Sequence, residues 1–97
     1  MTIDKKIEGE TLLLSLEGRL DTTTAPQLEA ELKALNGITS LTIDMAALEY
    51  ISSAGLRVLL SIQKIMNKQG KMTVKNINDT VKEVFEVTGF IDILTIE

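Results

Sequence analysis

Apolar residues recur along this chain with two different periods, and stretches of the two kinds alternate. Leu12, Leu14 and Leu16 repeat at every second residue, which is typical of a strand with one buried face. Later residues recur at spacings of three and four, which is typical of a helix with one buried face. The members of that helical series are Gly55, Val58, Leu59, Ile62, Ile65 and Met66. Strands that alternate with helices are joined by crossovers and therefore form a sheet that is parallel in part.

The predicted order is β-β-α-β-α-β-α, with a last short strand or tail from Ile93 to Ile96. The first two strands form a hairpin around Glu8-Gly9-Glu10. The sequence thus predicts an α/β fold, in which a small mixed sheet (an N-terminal hairpin plus parallel strands) has helices packed on it. A chain of 97 residues without a linker or repeat is the size of one domain, which we expect to span residues 1–97.

Boundaries follow from turn and cap residues. Thr24 is predicted to cap the first helix, with Pro26 in its first turn and Gln27 completing a capping box. That helix carries a stripe at Ala25, Leu28, Leu32 and Leu35 and ends at Asn36-Gly37. The other predicted elements are a strand from Ile38 to Met45 with Asp44 at its end, a connection from Ala46 to Tyr50, a helix from Ser53 to Gln69, a strand from Lys71 to Lys75 and a helix capped by Asn78.

The composition argues against several functions. The net charge is −4 and the ten basic residues are scattered, whereas nucleic-acid binding depends on Lys and Arg. The chain has no His and no Cys, the usual bases, nucleophiles and zinc ligands, and no glycine loop spaced to hold phosphates. We therefore expect a non-enzyme without cofactor or metal. No apolar run reaches the roughly 20 residues of a membrane helix and no signal peptide is evident, so we expect a cytoplasmic protein without membrane contact.

The segment from Tyr50 to Arg57 places two hydroxyls and a glycine where a strand meets a helix. On physical grounds either serine can be at the helix N-cap, and Gly55 allows another backbone to come close. Loss of such a cap typically costs about 0.5–2 kcal/mol. A well-capped helix start is therefore one interpretation of this segment.

Four motifs in order resemble the STAS domain of the anti-sigma factor antagonist family. They are Gly18-Arg19-Leu20-Asp21, Leu41–Met45 followed by Leu48–Ile51, Ser52-Ser53-Ala54-Gly55-Leu56, and Val81–Phe85 followed by Thr88-Gly89-Phe90. The third resembles the family's phosphorylation loop, with Ser53 at the phosphoacceptor position. Ser52 stands where many members have Asp, and it is the second choice as acceptor.

The resemblance implies a partner switch. In that family the unphosphorylated antagonist binds an anti-sigma factor that is also a serine kinase, and a sigma factor is released. The kinase then phosphorylates the loop serine, and a PP2C-type serine phosphatase resets the switch. A STAS scaffold or subunit in a stress-sensing or other partner-switching assembly is the alternative, and weak self-association would fit it. A receiver domain with Asp44 as acceptor is disfavoured, because no acidic pair follows the first strand.

The predicted partner surface surrounds the loop. It comprises Asp21, Ser52, Ser53, Ala54, Gly55, Leu56, Arg57 and Leu60. Leu56 and Leu60 are expected off the main apolar stripe of their helix, where partial burial and partner contact both remain open. A phosphate is expected to enlarge an acidic patch formed by Asp21, Asp44 and Glu49. Asp21 and Asp44 are interpreted as solvated turn residues rather than cation ligands.

Overall fold

Four strands form one sheet in the order β1-β2-β3-β4 in the computed structural model, which describes residues 1–97. The strands are β1 (Thr2–Glu8), β2 (Thr11–Leu20), β3 (Ser40–Ile51) and β4 (Lys71–Lys75). β1 is antiparallel to β2, whereas β2, β3 and β4 run parallel. The predicted α/β fold, with a hairpin added to parallel strands, is confirmed.

Three helices connect and follow the parallel strands. They are α1 (Ala25–Glu29), α2 (Ser53–Gln69) and α3 (Asp79–Thr88). The prediction that the first helix is α-helical as far as Leu35 is wrong, because residues Ala30–Leu35 form a 3₁₀ helix. A 3₁₀ helix has three residues per turn, so Leu32 and Leu35 still point to the same side. A second, shorter 3₁₀ turn spans Phe90–Asp92.

The helices cover one face of the sheet. In the first halves of β2 and β3 every second residue is buried, including Leu12, Leu14, Leu41 and Ile43. The connections β2-α1-β3 and β3-α2-β4 each lead to the next strand in the same direction across the sheet. Because such connections are right-handed, α1 and α2 lie on the same face. The buried apolar side chains form one cluster of 23 residues between this face and the helices.

β3 is longer than predicted. The expected end at Met45 is wrong, because Ala46 to Tyr50 continue the strand as far as Ile51. The register against β2 shifts twice, and each time β3 contributes one extra residue. Such bulges break the period of two, so the buried residues of this half are spaced by three: Met45, Leu48 and Ile51. Gly18 lies at the second shift with φ 103°, a conformation that favours glycine.

The chain end lies against the outer edge of β4. The Val74 N–H donates to Thr95 O at 2.9 Å, and the Glu97 N–H donates to Val74 O at 2.9 Å. The predicted last strand is therefore reduced to a single parallel bridge between Val74 and Ile96. None of the helices combines the length and the apolar character that a membrane-spanning helix requires.

The predicted cap of the third helix is confirmed. The Asn78 side-chain oxygen accepts from the Val81 N–H at 2.8 Å, and its amide nitrogen donates to Leu48 O at 2.9 Å. Leu48 lies in the bulged part of β3, so the same side chain starts α3 and ties it to the sheet.

Asn78→Ala removes both of these hydrogen bonds. We expect it to lower the free energy of unfolding by about 1–2 kcal/mol, since it loses a helix cap and leaves a carbonyl without its partner. Urea unfolding followed by circular dichroism measures this change. Asn36→Ala, at an exposed turn position, is the matched control and should stay within about 0.5 kcal/mol of wild type. Equal effects of the two substitutions would contradict the double role of Asn78.

Candidate functional site

Strand β3 and helix α2 are joined by one residue. β3 ends at Ile51 and α2 begins at Ser53, so Ser52 is the whole connection. The Ser52 N–H donates to Leu20 O at 2.9 Å, and Ser52 O accepts from the Leu56 N–H at 3.0 Å. Its two backbone groups thus bind the end of β2 on one side and the first turn of α2 on the other.

The two serines of this junction have different surroundings. Ser52 has the extended backbone of an N-cap residue, yet its hydroxyl makes no capping bond. The Ser52 Oγ is buried and has no hydrogen-bond partner. Ser53 is the first residue of α2 and is exposed. Of the two serines that could occupy the N-cap, Ser52 therefore does so, and Ser53 is the first helical residue, where α2 was predicted to begin.

The start of α2 presents free backbone donors. The N–H groups of Ser53, Ala54 and Gly55 find no acceptor within the chain, as expected for the first turn of a helix. The helix dipole adds partial positive charge at the same place. This end of the helix is therefore favourable for a negatively charged group attached to it.

Gly55 lets α2 approach the sheet closely. A Cβ built at this position would lie 2.6 Å from Leu20 Cγ and 3.0 Å from Ile51 Cγ1. Leu20 and Ile51 are fully buried and end β2 and β3 respectively. What approaches Gly55 is thus a pair of side chains, and not the backbone that the sequence suggested.

Asp21 organises the turn that follows β2. Its Oδ1 accepts from the Thr23 N–H at 3.0 Å, the Thr24 N–H at 3.2 Å and the Thr23 hydroxyl at 2.8 Å. The Thr24 hydroxyl donates to Arg19 O at 2.7 Å and makes no cap bond to α1, so the predicted Thr24 cap and capping box are wrong. The hydrogen bond from the Thr23 hydroxyl is the main cause that lowers the pKa of Asp21.

Arg19 lies between an aromatic ring and a carboxylate beside this turn. Its guanidinium carbon is 4.6 Å from the centre of the Tyr50 ring, and its Nε is 3.8 Å from Asp21 Oδ2. Tyr50 is paired with Arg19 across β2 and β3. These contacts join the turn after β2 to the last residues of β3, immediately before the junction.

Asp44 lies away from the junction. It is inside β3, opposite Ser15 and Lys75, and accepts from the Asn76 side-chain amide at 3.0 Å and from the Ala46 N–H at 3.0 Å. The bond from Asn76, followed by that from Ala46, lowers the pKa of Asp44. Ile51 lies seven positions further along β3, a distance of up to about 23 Å at about 3.3 Å per residue.

The predicted acidic patch therefore does not include Asp44. Asp21 follows the last residue of β2, whereas Glu49 is exposed in the second bulge of β3, two residues before Ile51. Asp21 and Asp44 share no site, and no three acidic side chains come together where they could hold a metal ion.

The apolar residues of the predicted partner surface divide into two kinds. Leu56 is only 4 % exposed, so its expected place off the buried stripe is wrong. The reason is that α2 packs against α1 as well as on β3 and β4, which widens its buried face. Leu60 is half-buried, and Arg57 is exposed.

A groove of about 290 Å³ runs between α1 and α2, beginning one residue after Ser53. The residues that line it are Thr22, Ala25, Pro26, Glu29, Ala54, Arg57, Val58 and Ser61. The sequence pointed to Ala54 and Arg57 but not to the contribution of α1. Pro26 and Glu29, residue types that are mostly exposed in proteins, are three residues apart in the sequence, which was the available sign that one side of α1 faces outward.

The family model of the STAS domain matches residues 2–97. The chain belongs to the STAS domain family. BtrV from Bordetella bronchiseptica, which is named among the anti-sigma factor antagonists, is 40% identical over 99 residues, covering 99% of this chain and 84% of BtrV. This STAS domain is accordingly a member of the anti-sigma factor antagonist family, as the motifs indicated.

Two solved structures show how far the fold is shared. An anti-sigma factor antagonist from Mycobacterium paratuberculosis superposes with a TM-score of 0.87 at 24% identity, covering 98% of this chain and 83% of the other. The Bacillus cell fate determinant SpoIIAA in its phosphorylated form superposes with a TM-score of 0.76 at 19% identity, covering 99% and 91%. At these identities the likeness establishes the fold.

Gly55→Ala tests the close contact at the junction of this STAS domain. Alanine is favoured over glycine in a helix by about 1 kcal/mol, so an uncrowded site would gain stability. We expect the reverse, a loss of about 1–3 kcal/mol, because the added methyl overlaps two fully buried side chains. Thermal and urea unfolding measure it. Ser61→Ala, at an exposed position of α2, serves as control, and a stabilised Gly55→Ala protein would show that the contact is looser than described.

Proposed function

We propose that this anti-sigma factor antagonist is switched by phosphorylation of Ser53. The observation that carries the proposal is the contrast between two adjacent hydroxyl residues: Ser53 is exposed on the first turn of α2, whereas the Ser52 Oγ is buried. A kinase must bring the acceptor oxygen into its own active site, so an exposed serine is the better substrate. The structure thus favours the same residue as the resemblance does, on independent grounds.

The proposed partner is an anti-sigma factor that is also a serine kinase. The name of BtrV, an anti-sigma factor antagonist, supports an anti-sigma factor as the partner. The kinase activity and its ATP site are assigned to the partner, and the antagonist itself is a non-enzymatic substrate. A PP2C-type serine phosphatase completes the cycle, which we place in the cytoplasm, where sigma factors act.

The start of α2 can carry a phosphate without loss of the fold. Phosphorylation adds about −1.5 to −2 charges and three acceptor oxygens. The free N–H groups of Ala54 and Gly55 and the helix dipole are favourable for that charge. Arg57 follows Ser53 by four residues, the spacing at which helical side chains are neighbours. The solved phosphorylated form of SpoIIAA, which shares the fold, supports this view.

The proposed binding face consists of exposed groups around Ser53. Arg57 and the half-buried Asp21, Ala54 and Leu60 contribute to it, together with the groove between α1 and α2. Ser52, Gly55 and Leu56 lie beneath and hold this surface in place. A partner fitted to a neutral hydroxyl would have to remove water from a doubly charged group after phosphorylation. Because an uncompensated buried charge costs several kcal/mol, binding is lost while the fold remains.

The acceptor residue can be identified directly. Incubated with ATP and a lysate of the bacterium that makes it, the protein should take up one phosphate, at Ser53. Peptide mass spectrometry locates the group, and the Ser53→Ala protein should remain unlabelled. Labelling of Ser52, or of the threonines at positions 22 to 24, would contradict the assignment.

Two substitutions separate charge from stability at position 53. Since Ser53 is not the N-cap, Ser53→Ala should change the free energy of unfolding by less than about 0.5 kcal/mol and should keep partner binding. Ser53→Asp suits the positive end of the helix, so stability should hold, but the anion should weaken binding more than about tenfold.

The partner for this comparison is the protein retained by immobilised Ser53→Ala protein from the same lysate, and calorimetry gives both affinities. Thr80→Asp is the matched control, because it adds the same charge to the exposed first turn of α3. A Ser53→Asp protein that binds like wild type would count against the switch.

A further inference from the structure

The two outer edges of the sheet differ. Residues at the chain end bond to the outer side of β4, whereas nothing is paired with the outer side of β1. β1 spans seven residues, Thr2–Glu8, and its only strand neighbour is β2. Ile7, on the helix-bearing face of β1, is 55% exposed. An open edge of this kind carries unpaired backbone donors and acceptors and can pair with another strand.

The hairpin determines which backbone groups point outward. Only Gly9 and Glu10 separate the paired residues Glu8 and Thr11, and in a two-residue hairpin such a pair exchanges hydrogen bonds. Because these backbone groups alternate along a strand, the N–H and C=O groups of the even-numbered residues of β1 point toward β2. The N–H and C=O groups of Ile3, Lys5 and Ile7, the outer edge of β1, point away from the sheet. A hydrogen bond just before β2 agrees with this alternation. The Thr39 N–H, just before β3, donates to Glu10 O, so the backbone groups of even-numbered residues on this side of the hairpin point toward β3 and those of odd-numbered residues point toward β1.

We propose that two copies of this chain pair through β1, antiparallel, about a two-fold axis at Lys5. In that register Lys5 faces Lys5 of the second copy, and Ile3 faces Ile7 in both directions. Every outward-pointing residue then meets another one, with two hydrogen bonds at each of these pairs. A register shifted by one residue would place outward-pointing groups opposite inward-pointing ones and would lose this match.

The charges of β1 fit the same register. Asp4 of each copy lies directly opposite Lys6 of the other, so the two-fold axis produces this attractive pair twice. The facing lysines at the axis are each neutralised within their own chain, because Lys5 Nζ lies 2.9 Å from Glu31 Oε1. Charged side chains on an edge strand often serve to prevent pairing. Here their order favours one antiparallel alignment, in which the only like charges that meet already have partners.

The pairing leaves the junction around Ser53 accessible. β2 lies between β1 and the end of β3, so the two copies form one continuous sheet whose Ser52-Ser53 junctions remain apart. The dimer therefore does not depend on the proposed phosphorylation, and each dimer presents two binding faces. The interface consists of one strand pair and belongs to the small, weak class.

Hydrogen exchange of the wild-type chain tests the register. Between dilute solution and about 1 mM, the amides of Ile3, Lys5 and Ile7 should become protected, while those of Asp4 and Lys6, already bonded to β2, should not change. Sedimentation equilibrium over the same range should show monomer and dimer in exchange. A chain that is monomeric throughout, or protection without this alternation, would overturn the proposal.

Charge substitutions provide a second test. Asp4→Lys and Lys6→Asp each place like charges opposite one another at two contacts, so each protein alone should dimerise at least about tenfold more weakly. An equimolar mixture of the two should regain the wild-type affinity, because two lysines then face two aspartates. Asp92→Lys makes the same charge change outside β1 and should dimerise like wild type. A mixture that stays monomeric while wild type pairs would show that the Lys5-centred alignment is wrong.

Discussion

The close approach of the first turn of α2 to the ends of β2 and β3 is the contact on which the site depends. A glycine at position 55 allows it, since any side chain would overlap Leu20 and Ile51. The hydrogen bond from Ser52 to Leu20 O holds the same three elements from the backbone side. Because the helix starts directly on the sheet, its free N–H groups, the turn of Asp21 and the groove beside α1 lie on one surface. The position of Ser53 is thus determined by core packing.

Much of the fold could be predicted because most elements obey a single period. The leucines of β2 alternate cleanly, and the apolar residues of α2 recur at three and four. The second half of β3 could not be predicted, since two bulges place its buried residues at a spacing of three. Bulges depend on pairing with β2, which a local pattern does not contain. The 3₁₀ helix could not be predicted for a related reason, because the spacing of Leu32 and Leu35 fits a 3₁₀ helix as well as an α-helix.

The functional role of the Ser52-Ser53 segment remains a prediction, and the structure corrects several expectations about its individual residues. Either serine was a candidate for the N-cap of α2, and the structure places Ser52 there. Leu56 was expected off the main apolar stripe of α2, but packing against α1 buries it. Asp44 was grouped with Asp21 because both seemed to end strands, whereas the added half of β3 separates them. The error about Asp44 follows from the length of β3, and the error about Leu56 follows from the packing of α2 against α1. The exposure of Ser53 and the burial of the Ser52 hydroxyl could be obtained only from three-dimensional packing.

The one-residue connection also limits how this surface can move. A longer loop could rearrange over microseconds and present different shapes to different partners. Here Ser52 is bonded to the sheet and to the helix at once, so there is no spare length to rearrange. Motion at the surface is then confined to exposed side chains, which change rotamer in picoseconds to nanoseconds. A modification at Ser53 would therefore change the chemistry of this surface without changing its shape. The time in which a bound partner responds would then be set by the rate at which the partner dissociates.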